Sequence, residues 1–284
     1  MRLGCNTGKA LMLTALLFLA LTETSRAQKD AIQWRITDWP PIYILEGPYK
    51  GQGAGDELIR LFAEQMPAYD HKTVPMNINR FYYEAKKGAK VLNAAGFPIA
   101  GVKASLPDSI IIPHQVIIRK DKARLPGSKD GIVLGELLSD KRFSAGITFG
   151  RYGPTLNQIV DKHKGEANIY SVTDYGNVFK MLFAGRFDYT IEYPPVIHYY
   201  EKLAQQEGRF LKLPIKEVAA RHKYLVAYVI GPDNEWGDRV IAKINRIISE
   251  QRNTPRYREI LLRWYDPAIR DQVSRYLDTV FADE

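Results

Sequence analysis

The sequence predicts an α/β protein built as two lobes, with a hinge where the chain crosses between them twice. Three observations carry that prediction. Short apolar or alternating segments, bounded by Gly, Pro or charge, take turns with stretches of helical periodicity, the pattern of layered α/β units. A polar stretch, Lys120 to Gly131, interrupts the alternation once, after which it restarts. A second extended segment, Tyr224 to Gly231, precedes the C-terminal helices and returns the chain to the first unit. The division drawn from this is 28–118 plus 230–284 as lobe 1 and 119–229 as lobe 2.

The first element is a leader. Arg2 and Lys9 precede an uncharged run, Ala10 to Thr22, that ends at Ser25-Arg26-Ala27. This is the layout of a secretory signal peptide over 1–27, cut before Gln28, and it places the protein in the periplasm. A retained membrane anchor is the second reading. It normally needs about 20 apolar residues, and Thr14, Thr22 and Glu23 interrupt this stretch. The only cysteine, Cys5, falls inside the leader and too early for a lipoprotein cleavage site. Residues 28–284 therefore have no thiol, so cysteine catalysis and metal-thiolate sites are excluded, and an ordinary hydrophobic core must hold the fold.

Strands are expected at Ile32–Thr37, Val116–Arg119, Ser144–Phe149, Phe187–Tyr193 and Leu225–Ile230. Helices are expected at Asp56–Met66, after Thr173-Asp174, at Pro194–Leu203 and at Trp236–Glu250. In the last of these Trp236, Val240, Ile241, Ile244, Ile247 and Ile248 recur at helical spacing. Beyond the leader no span suits a membrane, and no short repeat appears. The net charge of +8 belongs to an exported chain. It is read as surface solubility or as affinity for an anionic solute, not for nucleic acid.

Several segments resemble the type II periplasmic solute-binding proteins, extracellular solute-binding family 3, which include amino-acid receptors. The resemblance spans nearly the whole chain after the leader. It rests on Thr37-Asp38-Trp39-Pro40-Pro41 and on Gly51-Gln52-Gly53-Ala54-Gly55-Asp56-Glu57-Leu58. It rests equally on Met181-Leu182-Phe183-Ala184-Gly185-Arg186-Phe187-Asp188-Tyr189-Thr190-Ile191-Glu192. It implies a ligand cleft between two lobes joined by a two-strand hinge, a small-molecule solute, no cofactor, and a monomer that docks an ABC permease or a membrane sensor. The resemblance is that of a divergent member of the group. Where the amino-acid receptors carry a carboxylate-gripping arginine, the stretch Gly101 to Ser109 has none, and only Lys103 supplies charge, without the planar fork. The acidic residue that meets an α-ammonium falls at Glu192.

The candidate ligand contacts are Asp38, Trp39, Tyr43, Lys103, Arg151, Tyr152, Thr155, Glu192 and Tyr193. Trp39, ahead of two prolines, is either a stacking platform or packing for the turn. Asp38 is either a turn cap or an acceptor for a cationic group. Phe149-Gly150-Arg151-Tyr152-Gly153-Pro154-Thr155 joins a strand to a helix start that suits an anion, with Arg151 as its charge partner. The same glycines can serve a tight turn alone. Glu192 and Tyr193 sit at a strand end before Pro194-Pro195, while Tyr199 and Tyr200 follow the helical pattern and are read as packing.

The five histidines, at positions 71, 114, 163, 198 and 222, show no metal-ligand spacing, so no metal site is expected. Nucleophile-elbow, phosphate-loop and dinucleotide motifs are absent. Binding without chemistry is therefore the leading reading. The alternative is a dehydratase of the cyclohexadienyl type on the same fold, with Glu192 as general acid.

Overall fold

A computed structural model describes residues 29–122 and 131–282. The proposed signal peptide and most of the polar stretch after Lys120 lie outside the described residues. Among the described residues no helix is long and apolar enough to cross a membrane.

Two five-stranded mixed sheets organise the chain. The first holds β1 (Asp30–Ile36), β2 (Tyr69–Pro75), β3 (Val91–Gly96), β4 (Val102–Ile111) and β10 (Leu225–Pro232), in the order β2-β1-β3-β10-β4. The second holds β5 (Gln115–Arg119), β6 (Ala145–Ile147), β7 (Ile169–Ser171), β8 (Tyr189–Glu192) and β9 (Phe210–Pro214), in the order β7-β6-β8-β5-β9. The two orders are the same plan used twice. In each sheet three parallel strands are followed by an antiparallel strand that has just arrived from the other lobe, β10 in the first and β5 in the second.

This arrangement corrects the lobe boundaries. β5, expected in lobe 1, hydrogen-bonds to β8 and β9 in the second sheet, so the first crossing is Ile112-Pro113-His114. β10, expected to cross near 230, pairs with β4 from Leu225 onward, so the return lies between Pro214 and Leu225. The physical reason is that both crossings are short and carry no composition break. The described residues on either side of the conspicuous polar stretch, Arg119 and Ile132, both pair with lobe 2 residues, so the crossing is not there.

The helices cover the sheets. In lobe 1, α1 (Ala54–Gln65) lays Leu58, Leu61 and Phe62 on the sheet, with the Phe62 ring stacked 5.9 Å from that of Trp34 on β1. Its start is fixed by Asp56, whose Oδ2 accepts from the backbone N–H groups of Ile44 (2.9 Å) and Gly53 (3.1 Å). On the opposite face, α2 (Ile78–Lys86) packs Phe81 and Ala85 against Met76 and Val91. In lobe 2 come α3 (Leu134–Ser139), α4 (Gly153–Val160), α5 (Tyr175–Phe183), α6 (Pro194–Leu203) and α7 (Lys216–Ala219). Gly146 of β6 is required there, because a Cβ would lie 2.2 Å from the Phe187 ring. The chain then ends on lobe 1 with α8 (Glu235–Gln251), α9 (Pro255–Leu262) and α10 (Pro267–Ala282), whose buried residues join the same core as α1.

Candidate functional site

A cavity of about 360 Å³ opens between the lobes at the C-terminal ends of β1 and β3. Loops leave parallel strands at those ends, and the ends form crevices that open sheets use for ligands. Lobe 1 supplies Arg35, Thr37, Asp38, Trp39, Asn93 and Phe97 together with Ile78 and Tyr82 of α2, while Arg151 reaches in from lobe 2.

Arg35 is the charged floor of this cavity and is only 8% exposed. Its Nε donates to the Met76 carbonyl at 2.9 Å and its Nη1 to Asn93 Oδ1 at 3.1 Å. Among the described residues no carboxylate pairs with it, and burial lowers its pKa from the ordinary guanidinium value. The sequence reading missed this residue. Ile32, Trp34 and Ile36 alternate with Gln33 and Arg35, which looks like a half-exposed strand. β2 and β3, which the sequence did not reveal, pair with both edges of β1 and make it an interior strand of the sheet, and Arg35 near its end is buried.

Arg151 behaves differently. Its Nη2 lies 3.2 Å from Glu192 Oε2 and 3.5 Å from Oε1, and Glu192 Oε1 also accepts from the Tyr193 N–H at 2.9 Å. With its side chain only 3% exposed, Glu192 is turned toward Arg151 and the backbone, away from the open cavity. Expected as an acceptor for a solute amine, it is here the partner of an arginine.

Trp39 both packs its turn and lines the cavity. Its backbone closes a tight turn with Tyr43 across the cis Pro40-Pro41 bond. The ring lines the cavity, with its Nε1 buried and unpartnered, and stands edge-on to Tyr193 of lobe 2 at 6.1 Å. Tyr193 in turn lies 3.7 Å from the ring of His114 on the crossing segment. Burial, with Arg151 nearby, pushes the His114 pKa down to about 3, so that ring is neutral at the hinge. Trp39 and Phe97 also wall a smaller apolar cavity of about 40 Å³, closed from lobe 2 by Pro195. Asp38 is exposed at the rim.

Tyr43 lines the cavity as a core residue, 1% exposed, whose Oη donates to the Ala94 carbonyl at 2.7 Å. The remaining expected contacts lie elsewhere. Lys103 sits at the far end of β4, about 20 Å of strand from the cleft-lining Ser109, and its Nζ pairs with Asp238 at 2.5 Å. Tyr152 is 4% exposed, and its Oη accepts from the Thr148 N–H at 2.8 Å, which ties down the loop that presents Arg151. Thr155 is half-buried on α4 and does not line the cavity. The positive φ of Gly150 (80°) and Gly153 (76°) shows that both glycines serve the turn before α4.

Among the described residues one group has metal-ligand spacing, His198, Glu201 and Asp266, with their ligand atoms within 4.8 Å of one another. Lys212 Nζ lies 3.0 Å from Glu201 Oε2 and 2.9 Å from Asp266 Oδ2. The ammonium already balances both carboxylates, so the group is an ion-pair cluster that joins lobe 2 to Asp266 of lobe 1.

The geometry has counterparts among solved structures. The ancestral cationic amino acid solute-binding protein superposes with a TM-score of 0.62 at 16% identity, covering 83% of this chain and 96% of its own. An ancestral arginine-binding protein bound to arginine gives 0.58 at 16% identity, covering 84% and 100%. The fold is that of a type II periplasmic solute-binding protein. The ligand-binding core of GluR0 from Nostoc punctiforme, in complex with L-glutamate, has the same two-lobe fold, with a TM-score of 0.54 at 17% identity over 84% of this chain and 99% of the core. No protein-family model matches the chain, and no curated protein sequence does.

Proposed function

We propose that this protein is a divergent family 3 receptor, exported to the periplasm as a monomer, which holds a small polar solute between its lobes and releases it unchanged. The solute is amino-acid-like or another small organic anion or zwitterion, and the loaded receptor serves an ABC importer or a membrane sensor. The observation that supports this reading is the cavity itself. It is bounded by both lobes, suits a small molecule in size, and mixes aromatic walls with a few polar groups. Solved structures of the same fold include the substrate-binding protein of an amino acid ABC transporter. The non-catalytic reading is supported by Glu192, whose oxygens are held as acceptors by Arg151 and the Tyr193 N–H and do not face the cavity as a proton donor would.

The test is a thermal-shift screen against amino acids, polyamines, organic acids, cyclohexadienyl acids and small sugars. A solute that binds only the folded state raises its apparent stability by mass action. A saturable hit recovered unchanged supports the receptor; turnover of the hit would replace it with the dehydratase reading.

A further inference from the structure

We propose that Arg35 is the anion anchor of the interlobe cleft and that the solute is a carboxylate, docked head-down on this guanidinium with its body between Trp39 and Phe97. This rests on the receptor reading and adds the chemical class of the ligand and the residue that selects it.

A buried cation without a counter-ion is costly, and proteins keep one where a partner arrives later or where structure demands it. Structure demands little here. Holding the Met76 carbonyl and Asn93 Oδ1 takes two N–H donors, and a neutral donor would do so without the desolvation cost. Three N–H donors remain on Arg35 at the edge of a cavity of about 360 Å³. Its two fixed bonds hold the plane of the fork, the preorganisation that favours a planar two-oxygen acceptor over a spherical one.

The other cations near the cleft do not compete for this task. Arg151 faces the same cavity but already carries Glu192 at 3.2 Å. Lys103 is bound to Asp238 at the opposite end of β4. The anion anchor of this chain has therefore moved to β1, which accounts for the missing arginine between Gly101 and Ser109. Above Arg35 the walls are the Trp39 indole and the Phe97 ring, which suit an apolar or planar body. Asp38 stands exposed at the rim, so an ammonium at the outer end of the solute is accepted but not required.

The experiment titrates the purified protein with benzoate, succinate and L-glutamate as carboxylates, and with inorganic phosphate, putrescine and glucose as contrasts. Binding is read by calorimetry and by the guanidinium NMR signals of Arg35. At least one carboxylate is expected to saturate at one site and to shift the Arg35 signals, while the contrasts do neither. R35K keeps the charge but loses the fork, and should weaken that carboxylate about 10- to 100-fold while its circular dichroism stays that of the parent. The NMR readout keeps the test decisive if R35K folds poorly. A carboxylate that binds equally well to R35K and leaves the Arg35 signals unmoved overturns the proposal, as does selective binding of phosphate, putrescine or glucose; either result leaves the receptor reading standing. Silence across all six probes counts against both.

Discussion

Asp108 sits fully buried beneath the cleft floor, its Oδ2 accepting from the Ala95 N–H at 2.8 Å and its Oδ1 from Ser109 Oγ at 2.6 Å. Ala95 lines the cavity in a left-handed conformation, φ 50°, which a non-glycine residue adopts only when held. Burial outweighs those hydrogen bonds and raises the Asp108 pKa to about 6. The unfolded value is about 3.9, so the folded state binds the extra proton between those values. Stability from this group is therefore greatest below about pH 4 and is lost as pH rises through 6, by up to about 3 kcal/mol. Asp108→Asn keeps an acceptor for Ala95 without the charge. Its melting temperature should exceed the parent's by more at pH 7.5 than at pH 4.5, and a gap independent of pH would refute this account. At this scale the sequence was a partial guide. It found Asp38, Trp39, Arg151, Glu192 and Tyr193, all at or beside the cleft, because strand ends and proline turns mark themselves. It placed Tyr43 there too, which lines the cavity with its hydroxyl held by the Ala94 carbonyl, and Tyr152, which does not, since nothing in that tyrosine's neighbours in sequence says that its hydroxyl will find the Thr148 N–H. It passed over Arg35 because burial of a polar strand residue depends on which strands flank it.

Elements were legible where they are amphipathic and capped. α6 begins and ends as expected, at Pro194 and Leu203, and α8 is displaced by one residue at each end. The start of α8 is set by Asn234, whose side chain accepts from the Gly237 N–H at 2.9 Å. Asn234→Ala should cost about 1 kcal/mol, read as a lowered denaturant midpoint with an unchanged slope, whereas no loss would show that packing of Val240, Ile244 and Ile248 alone fixes this end. Of the missed strands, β3 is interior, while β2, β4, β7 and β9 share a physical cause as sheet edges. β2 is an edge strand with no buried residue and with Asp70 and Lys72 in it, and β4 is an edge strand broken by Pro107, where its register with β10 shifts. Edge strands avoid the apolar alternation that pattern reading looks for, and proline is tolerated on them. Missing β4 hid that Lys103, offered as the charge in place of the absent arginine, lies at the far end of a strand.

For the whole molecule, the two-lobe plan was readable because alternation restarts, while the contacts between the lobes were not, since they join residues far apart in sequence. Tyr49 and Trp264 of lobe 1 pack against Tyr199 of lobe 2, with ring centroids 6.1 and 5.4 Å from its ring. Beside them Lys212 bridges Glu201 within lobe 2 and Asp266 of lobe 1. These contacts lie outside the cavity, and on the receptor reading proposed above they bias the lobes toward closure before solute arrives. Asp266→Asn removes the interlobe charge pair and leaves Lys212 with Glu201. The expected result is a larger radius of gyration without solute in small-angle scattering, together with weaker solute binding, because more of the binding energy goes into closing the lobes. An unchanged radius would mean that the aromatic contacts alone set the closure.

The measurement closest to the central claim is a calorimetric titration of the parent and of Thr37→Trp with the solute that gives the largest thermal shift. Thr37 lines the cavity from β1's end, and an indole there fills the space without touching the core of either sheet. The account predicts one solute per chain, recovered chemically unchanged, with binding abolished in Thr37→Trp while the melting temperature without solute is kept. Retained binding in that variant, or conversion of the solute, would contradict a receptor that works by holding its cargo between the lobes.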